Sequence, residues 1–201
     1  MLEIALASQS PRRRELLKNA GFEVHLFPVK VSEIFDEKMT PGQVVSHLAT
    51  LKRAAAVAQN NSPKLPGFLI LTGDTIVVHQ GDVLGKPENR EHAIEILRRL
   101  SGKSHSVISG LTLGESGVQK FWTGIAETKV EFRPLTEREI VEYVDSGEPM
   151  DKAGAYGIQG GARRFVSSIE GSWSNVVGLP MELFESAIAE NGWNVRRKSS
   201  Y

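Results

Sequence analysis

A single carboxylate interrupts a run of strand-forming residues at positions 71–78, LTGDTIVV. β-Branched residues favour a pleated, half-buried surface, where an acid costs free energy unless it has a partner. A metal ion, a cationic side chain or a water molecule to be activated would each serve Asp74 as that partner. The alternative is that Gly73 and Asp74 form a turn between two short strands, and the segment alone slightly favours this turn.

Three consecutive arginines lie in the first turn of a predicted helix, within residues 7–14, ASQSPRRR. Free N–H groups at a helix start favour anions, so cations in this turn need compensation. A bound phosphate chain would provide it, because guanidinium groups bind phosphate oxygens in pairs. The alternative is that the arginines extend into water or pair with acids such as Glu15. Arg14 is expected to be only a surface residue.

Two lysines occupy positions that could serve the same chemistry. Lys52 lies at the edge of the apolar stripe of a helix predicted over residues 41–59, where a lysine usually extends its ammonium group to water. Lys86 stands between a glycine and a proline, and the proline restricts it to an extended conformation. Most loop lysines are exposed, but Lys86 follows the predicted strands around Asp74 closely. Either lysine could therefore direct its ammonium group at a cleft beside the sheet.

A glycine-rich segment, DKAGAYGIQGG, spans residues 151–161. Glycines allow a backbone to turn sharply or to approach a ligand. Tyr156 offers an aromatic face, and Gln159 offers an amide that can pair with the edge of a base. The alternative is a purely structural loop. The chain has neither a P-loop nor a dinucleotide-binding fingerprint, and its histidines show no HExxH spacing, which argues against a zinc hydrolase.

The composition argues against several classes of protein. Lys+Arg and Asp+Glu both number 24 among 201 residues, and a formal net charge of zero argues against a protein that coats nucleic acid. There is no cysteine, which excludes disulfides, thiolate metal sites and cysteine nucleophiles. No apolar run approaches the ~20 residues of a membrane span, and the apolar start is too short for a signal peptide. We expect a soluble cytoplasmic protein that binds neither nucleic acid nor membrane.

The elements that must position these residues alternate between strands and helices. Helices are expected to begin after the caps or opening residues Ser10, Thr40, Asn89, Thr136 and Pro180. Strands are expected at residues 4–7, 22–28, 68–71, 76–79, 106–113, 120–132 and 165–169. The hairpin-like connection at 114–117 implies antiparallel pairs. The pattern predicts an α/β fold with a mixed sheet, and no repeat or linker divides residues 1–201 into further domains.

Six short segments occur in an order that is typical of one family. They are residues 6–17 (LASQSPRRRELL), 52–54 (KRA), 73–77 (GDTIV), 85–87 (GKP), 151–160 (DKAGAYGIQG) and 177–180 (VGLP). Together they resemble the Maf family of nucleoside triphosphate pyrophosphatases from about residue 4 to residue 190. The resemblance implies a twisted mixed sheet flanked by helices, with two lobes around a long cleft.

The resemblance also implies a reaction and a set of site residues. The reaction is hydrolysis of a nucleotide between its α and β phosphates, with a divalent cation such as Mg²⁺ or Mn²⁺. Asp74 would activate water or hold the metal. The residues implied to hold the phosphate chain are Ser8, Arg12, Arg13, Lys52 and Lys86. The oligomeric state stays open, with a homodimer among the options.

One stretch departs from the family pattern. The family usually has a compact Ser-Glu-x-x-Glu stretch after the second strand, whereas residues 31–37 read VSEIFDE, one residue longer. Glu33, Asp36 and Glu37 are therefore all candidates for a second catalytic and metal-holding acid beside Asp74. Glu37 is ranked first.

Three positions bear on the choice of base. Arg12, Thr75 and Gln159 are similar to the group within the family that prefers dTTP and UTP. The resemblance thus implies a pyrimidine triphosphate as substrate, modified ones included. Two alternatives stay open, namely the related group that acts on 7-methyl-GTP and a non-catalytic nucleotide-binding module in division control.

Overall fold

The computed structural model describes residues 1–36, 38–59 and 67–198 of the chain. Within these ranges seven strands form one sheet in the order β2-β1-β3-β5-β6-β7, with β4 paired to β3. The strands are β1 (Glu3–Leu6), β2 (Val24–Leu26), β3 (Phe68–His79), β4 (Asp82–Leu84), β5 (Ser104–Glu115), β6 (Trp122–Phe132) and β7 (Val166–Glu170). β1 pairs in parallel with β2 and β3, whereas the β3–β4 and β6–β7 pairs are antiparallel. The predicted α/β fold with a mixed sheet is confirmed.

Six α-helices accompany the sheet in the same described ranges. They are α1 (Pro11–Asn19), α2 (Pro41–Ala58), α3 (Arg90–Leu100), α4 (Glu137–Asp145), α5 (Trp173–Val177) and α6 (Met181–Glu190). Short 3₁₀ helices cover Glu148–Asp151, Ala153–Ala155 and Gly161–Phe165. Part of the segment predicted as a glycine-rich loop is thus helical. None of the helices in the described ranges combines the length and the apolar character that a membrane crossing needs.

The caps that the sequence predicts are confirmed. The backbone N–H of Gln43 donates to the hydroxyl of Thr40 at 3.3 Å, and the Gln43 amide oxygen accepts from the Thr40 N–H at 2.8 Å. Thr136 and Glu139 form the same reciprocal box at the start of α4. Asn89 caps α3 by accepting from a backbone N–H. These bonds satisfy donors that a helix start leaves unpaired, so local sequence alone fixes where α2, α3 and α4 begin.

The predicted division of residues 68–79 into two strands is wrong. These residues form the single strand β3, and Gly73 and Asp74 lie inside it rather than in a turn. β3 lies between β1 and β5 in the sheet, so neighbours on both sides hold it extended. The short strand β4 and the short helix α5 are also absent from the prediction.

The chain divides into two compact units. The first comprises Met1–Asp74, Ser109–Ala126 and Gly178–Tyr201, and the second comprises Thr75–Ile108 and Glu127–Val177. The prediction that residues 1–201 form one domain stays a prediction.

The first unit buries β1 on both of its faces. Ile4 and Leu6 belong to one apolar cluster, while Ala5 and Ala7 belong to another. Successive strand residues point to opposite faces, so both faces of β1 are covered, as parallel strands usually are.

The second unit has its own core, in which aromatic rings meet edge to face. The ring of Phe132 on β6 lies 4.9 Å from that of Tyr156 and 6.0 Å from that of Phe165. Leu97 of α3 and Ile140 of α4 are buried in the same cluster. This core supports the segment that the glycine-rich motif occupies.

Candidate active site

Asp74 belongs to the face of β3 that is turned toward α2. Two residues earlier on the same face, the hydroxyl of Thr72 donates to the carbonyl oxygen of Ala49 on α2 at 2.8 Å. Because strand residues alternate between faces, Asp74 continues this face. Lys52 lies about one helical turn beyond Ala49 on α2, just as Asp74 lies two residues beyond Thr72 on β3. The side chains of Lys52 and Asp74 are therefore brought together.

The ammonium group of Lys52 binds two carboxylates. It donates to Oδ1 of Asp74 at 2.5 Å and lies 2.7 Å from Oε1 of Glu33. The side chains of Lys52 and Asp74 are only 14% and 12% exposed, whereas that of Glu33 is 57% exposed. The acid in β3 therefore has a cationic partner, which is the arrangement that a nearly buried carboxylate needs.

The close approach of α2 to β5 depends on Gly110. A Cβ atom at this position would lie 2.5 Å from the carbonyl oxygen of Val45 on α2, closer than real Cβ atoms come. Gly110 thus lets the backbone of α2 rest directly on the sheet. The same helix carries Lys52, so this contact sets the distance across which Lys52 reaches Asp74.

Arg13 joins three separate segments of the first unit. Its Nη1 donates to the carbonyl oxygen of Gly73 at 2.8 Å and to the hydroxyl of Ser8 at 3.3 Å, and its Nε donates to the carbonyl oxygen of Gly178 at 2.8 Å. Arg13 is only 9% exposed. Two sequence-predicted site residues, Ser8 and Arg13, therefore lie in direct contact.

The charges around Arg13 link it to the carboxylates. Burial lowers the pKa of Arg13, the negative charge of Asp74 opposes that shift, and the positive charge of Arg12 reinforces it. An arginine in a protein stays a cation even so. Arg12 is half-buried beside it, and Arg14 is exposed, as the sequence predicts.

The other predicted site residues belong to the second unit. Thr75 is half-buried on β3, Lys86 is exposed after β4, and Gln159 is exposed within the glycine-rich segment. The carbonyl oxygen of Gly85 accepts from the N–H of Gly154 at 3.0 Å. Within this unit the backbone next to Lys86 is therefore bonded to the segment that carries Gln159.

Two of the three candidates for the second acid lie within the described residues. Glu37, ranked first from the sequence, lies outside the described residues, and its role stays a prediction. Asp36 is exposed, and its Oδ1 accepts from the backbone N–H of Lys38 at 2.9 Å. Among the candidates that the structure describes, Glu33 is the one that contacts Lys52.

The comparison with protein families decides the assignment. The model for Maf-like proteins matches residues 3–191. The chain belongs to the Maf family. The resemblance that the six short segments carry is thereby confirmed.

Curated relatives from the Maf family match nearly the full chain. A protein of Photorhabdus laumondii is 47% identical over 181 residues, which cover 90% of each chain. One of Bdellovibrio bacteriovorus is 44% identical over 93% of this chain and 97% of the relative, and one of Pelotomaculum thermopropionicum is 42% identical over 97% and 100%. Each of the three relatives is named dTTP/UTP pyrophosphatase.

The donor atoms of this Maf-family site can be compared with the needs of a divalent cation. In the described ranges, no group of three or more histidine, aspartate or glutamate side chains is arranged to hold a metal. Two carboxylate oxygens, from Asp74 and Glu33, do converge on the single positive nitrogen of Lys52. Mg²⁺ is usually bound through one or two carboxylates together with substrate phosphates. Asp74 and Glu33 therefore supply as many carboxylates as a hard cation usually takes from a protein, at a position where both bind the ammonium group of Lys52 in this structure.

Three positions that build the site are not identified by the sequence analysis. Thr72 and Gly110 set α2 against the sheet, and the carbonyl oxygen of Gly178 receives Arg13. Gly178 does lie in one of the segments that carry the Maf resemblance, but the sequence gives no indication of what it does there. Thr72 and Gly110 act through residues far away in sequence, so spacing alone gives no indication of them.

Proposed function

We propose that the chain is a nucleoside triphosphate pyrophosphatase that hydrolyses dTTP and UTP to the monophosphate and pyrophosphate. The observation that carries the proposal is the nearly buried Asp74, held 2.5 Å from Lys52 in a chain whose full-length relatives bear that activity in their names. Modified pyrimidine triphosphates belong to the same substrate class and are included.

The proposed reaction needs one base and several cations. Water attacks the α phosphorus, the bond between that phosphorus and the oxygen that bridges it to the β phosphorus breaks, and pyrophosphate departs with the negative charge. Asp74 accepts the proton of that water, because it is the acid with a fixed position on β3. Phosphoryl transfer otherwise demands positioning and charge neutralisation rather than a covalent nucleophile.

The cations divide that work. Lys52 lies beside Asp74, and we assign it to neutralising charge on the phosphate chain. Ser8, Arg12 and Arg13 are assigned to the same chain at the start of α1, where free N–H groups add to the attraction for anions. Arg13 also fixes Ser8 through the 3.3 Å hydrogen bond, so it contributes by positioning as well as by charge.

Lys86, Thr75 and Gln159 keep the roles that family membership implies. Lys86 is assigned to phosphate, and Thr75 and Gln159 to the nucleotide, with the amide of Gln159 suited to the polar edge of a pyrimidine. Each of these assignments is a proposal for the second unit alone.

A divalent cation, Mg²⁺ or Mn²⁺, completes the proposal. Asp74 and a second acid would hold it, with Glu33 supported by its contact with Lys52 and Glu37 retained from the sequence. When bound, such an ion screens phosphate charge and makes water a better nucleophile.

A panel of nucleoside triphosphates tests the proposal. Purified protein is incubated with dTTP, UTP, CTP, GTP, ATP and 7-methyl-GTP, with Mg²⁺, Mn²⁺ or a chelator, and the products are separated chromatographically. We expect dTTP and UTP to give monophosphate and pyrophosphate, and the chelator to stop the reaction. Turnover of 7-methyl-GTP alone would overturn the pyrimidine assignment but keep the chemistry. Tight binding without hydrolysis of any nucleotide would instead indicate a binding module.

A cytoplasmic location and a homodimer also stay predictions. Cell fractionation tests the first, and light scattering of the purified protein tests the second.

A further inference from the structure

One carboxylate in the second unit is linked to both ends of a tight loop, to one end directly and to the other through a tyrosine hydroxyl. Oε2 of Glu148 accepts from the backbone N–H of Gly161 at 2.9 Å, and Oε1 accepts from the hydroxyl of Tyr143 at 2.9 Å. The same hydroxyl accepts from the N–H of Gly157 at 3.0 Å. The loop from 157 to 161 is thus closed around Glu148, and exposed Gln159 lies at its middle.

The loop has no room for side chains where it meets this carboxylate. A Cβ atom at Gly160 would lie 2.5 Å from Cδ of Glu148. One at Gly157 would lie 2.6 Å from Cε of Lys152, whose Nζ donates to the carbonyl oxygen of Glu148 at 2.6 Å. The glycines are therefore explained by the space that Glu148 and Lys152 occupy, and the carboxylate fills the interior of the loop.

Tyr143 anchors this arrangement in the core of the second unit. It is 3% exposed on α4, and its ring lies 5.2 Å from that of Phe165 in an edge-to-face contact. Burial raises the pKa of Tyr143, so the hydroxyl keeps its proton and can donate to Glu148 while it accepts from Gly157. Helix α4 thereby determines where both ends of the loop are held.

We propose that Glu148 is a positioning residue that sets nucleotide selectivity by holding Gln159 in place. The proposal rests on the proposed function, in which Gln159 contacts the base. Glu148 itself touches no substrate, and its carboxylate acts only through the two ends of the loop. A purely structural role would change stability and leave discrimination between bases unchanged.

The test compares Glu148→Gln with wild type. The amide keeps the size of the side chain but offers one acceptor oxygen to two donors, so it loses either the bond to Gly161 or the bond to the Tyr143 hydroxyl that holds Gly157. We expect KM for dTTP to rise roughly tenfold and the preference for dTTP over GTP to fall by a similar factor, with kcat changed by less than about threefold. Tyr143→Phe, which removes only the hydroxyl, should act in the same direction. Glu142→Gln is the matched control, because Glu142 lies on the surface of α4 and pairs with Arg138.

A double-mutant cycle separates positioning from stability. If Glu148 acts through Gln159, then Glu148→Gln should add less than about twofold to the loss of selectivity caused by Gln159→Ala. Amide exchange at Gly157 and Gly161 should be faster in Glu148→Gln than in the control. The proposal would be overturned if folded Glu148→Gln kept the wild-type selectivity. It would also be overturned if the losses of selectivity caused by Glu148→Gln and by Gln159→Ala multiplied in the double variant.

Failure of the proposed function can be recognised separately. If the wild-type protein hydrolyses no triphosphate, calorimetric binding of dTTP and GTP replaces kinetics in the same cycle. Loss of dTTP selectivity in binding would then support the role of Glu148 without the reaction, and equal selectivity in Glu148→Gln and wild type would contradict it.

Discussion

The ammonium nitrogen of Lys52 lies 2.5 Å from Oδ1 of Asp74, and neither side chain is more than 14% exposed. Helix α2 and strand β3 each contribute one partner of this pair. Removing Lys52 would leave Asp74 nearly buried without its hydrogen-bonded counter-charge, which costs more than the pair itself contributes, whereas removing Asp74 would leave Lys52 with the exposed Glu33. The pair therefore couples the stability of the first unit to the geometry of the proposed reaction.

Lys52→Met tests this coupling through stability. Asp74 would lose its partner, and we expect the free energy of unfolding to fall by about 1–3 kcal/mol. Adding Asp74→Asn should recover part of that loss, because the unpaired charge is then gone. Urea denaturation of both single variants and the double variant measures the effect, with Lys103→Met, an exposed lysine, as control. Strict additivity of the two substitutions would show that the pair is not coupled.

Gly110→Ala tests whether the contact between α2 and β5 positions the site. The new methyl group would overlap the carbonyl of Val45, and overpacking of this kind costs about 1–3 kcal/mol. Lys52 moves with α2, so we also expect kcat/KM for dTTP to fall at least tenfold. Gly42→Ala is the matched control on the same helix, since its methyl group would meet only the end of the Ile125 side chain at 3.4 Å. Equal activity of the two variants would show that the contact at Gly110 does not position the site.

The buried His105 should make the folded second unit less stable at acid pH. Burial lowers the pKa of His105 to about 4, and the nearby His79 adds to the shift. An unfolded chain takes up this proton near pH 6.5, whereas the folded protein resists it until about pH 4. Stability should therefore be intact above pH 6.5 and fall by up to about 3 kcal/mol as the pH drops through this window.

A paired substitution isolates the contribution of His105. Nε2 of His105 lies 2.9 Å from the hydroxyl oxygen of Tyr156, so His105→Phe together with Tyr156→Phe removes both polar partners at once. Unfolding free energies between pH 7 and pH 4.5 should show a smaller decline in the double variant than in wild type. Parallel curves would assign the acid sensitivity to other groups.

Local signals account for what the sequence predicts well. Thr40 and Thr136 fix the starts of α2 and α4 through bonds to residues three positions away, and such contacts can be read from spacing. The order of strands and helices follows from similar short patterns, and the six Maf-like segments add the family. Lys52 and Asp74 are also found in this way.

Long-range contacts account for what the sequence does not reveal. Gly73 suggests a turn by composition, yet a Cβ atom there would lie 2.9 Å from Leu111 on β5, so the glycine serves packing between strands. Glu33 gains its partner Lys52 only through the fold, and the comparison with the family pattern ranks Glu37 above it. The sequence gives no indication of Glu148 either, because its proposed role depends on a hydrogen bond from Gly161, thirteen residues later in the chain.

The rate at which an Asp74→Asn variant releases pyrophosphate from dTTP is the decisive measurement for the proposed role of Asp74 as the base. The amide cannot accept the proton of the attacking water, and the side chain keeps its size. With Mg²⁺ or Mn²⁺ present, we expect kcat to fall by about 10²–10⁴, while Asp82→Asn, the same change at the exposed end of β4, keeps wild-type rates. A folded Asp74→Asn protein that releases pyrophosphate from dTTP as fast as wild type would show that Asp74 is not the base.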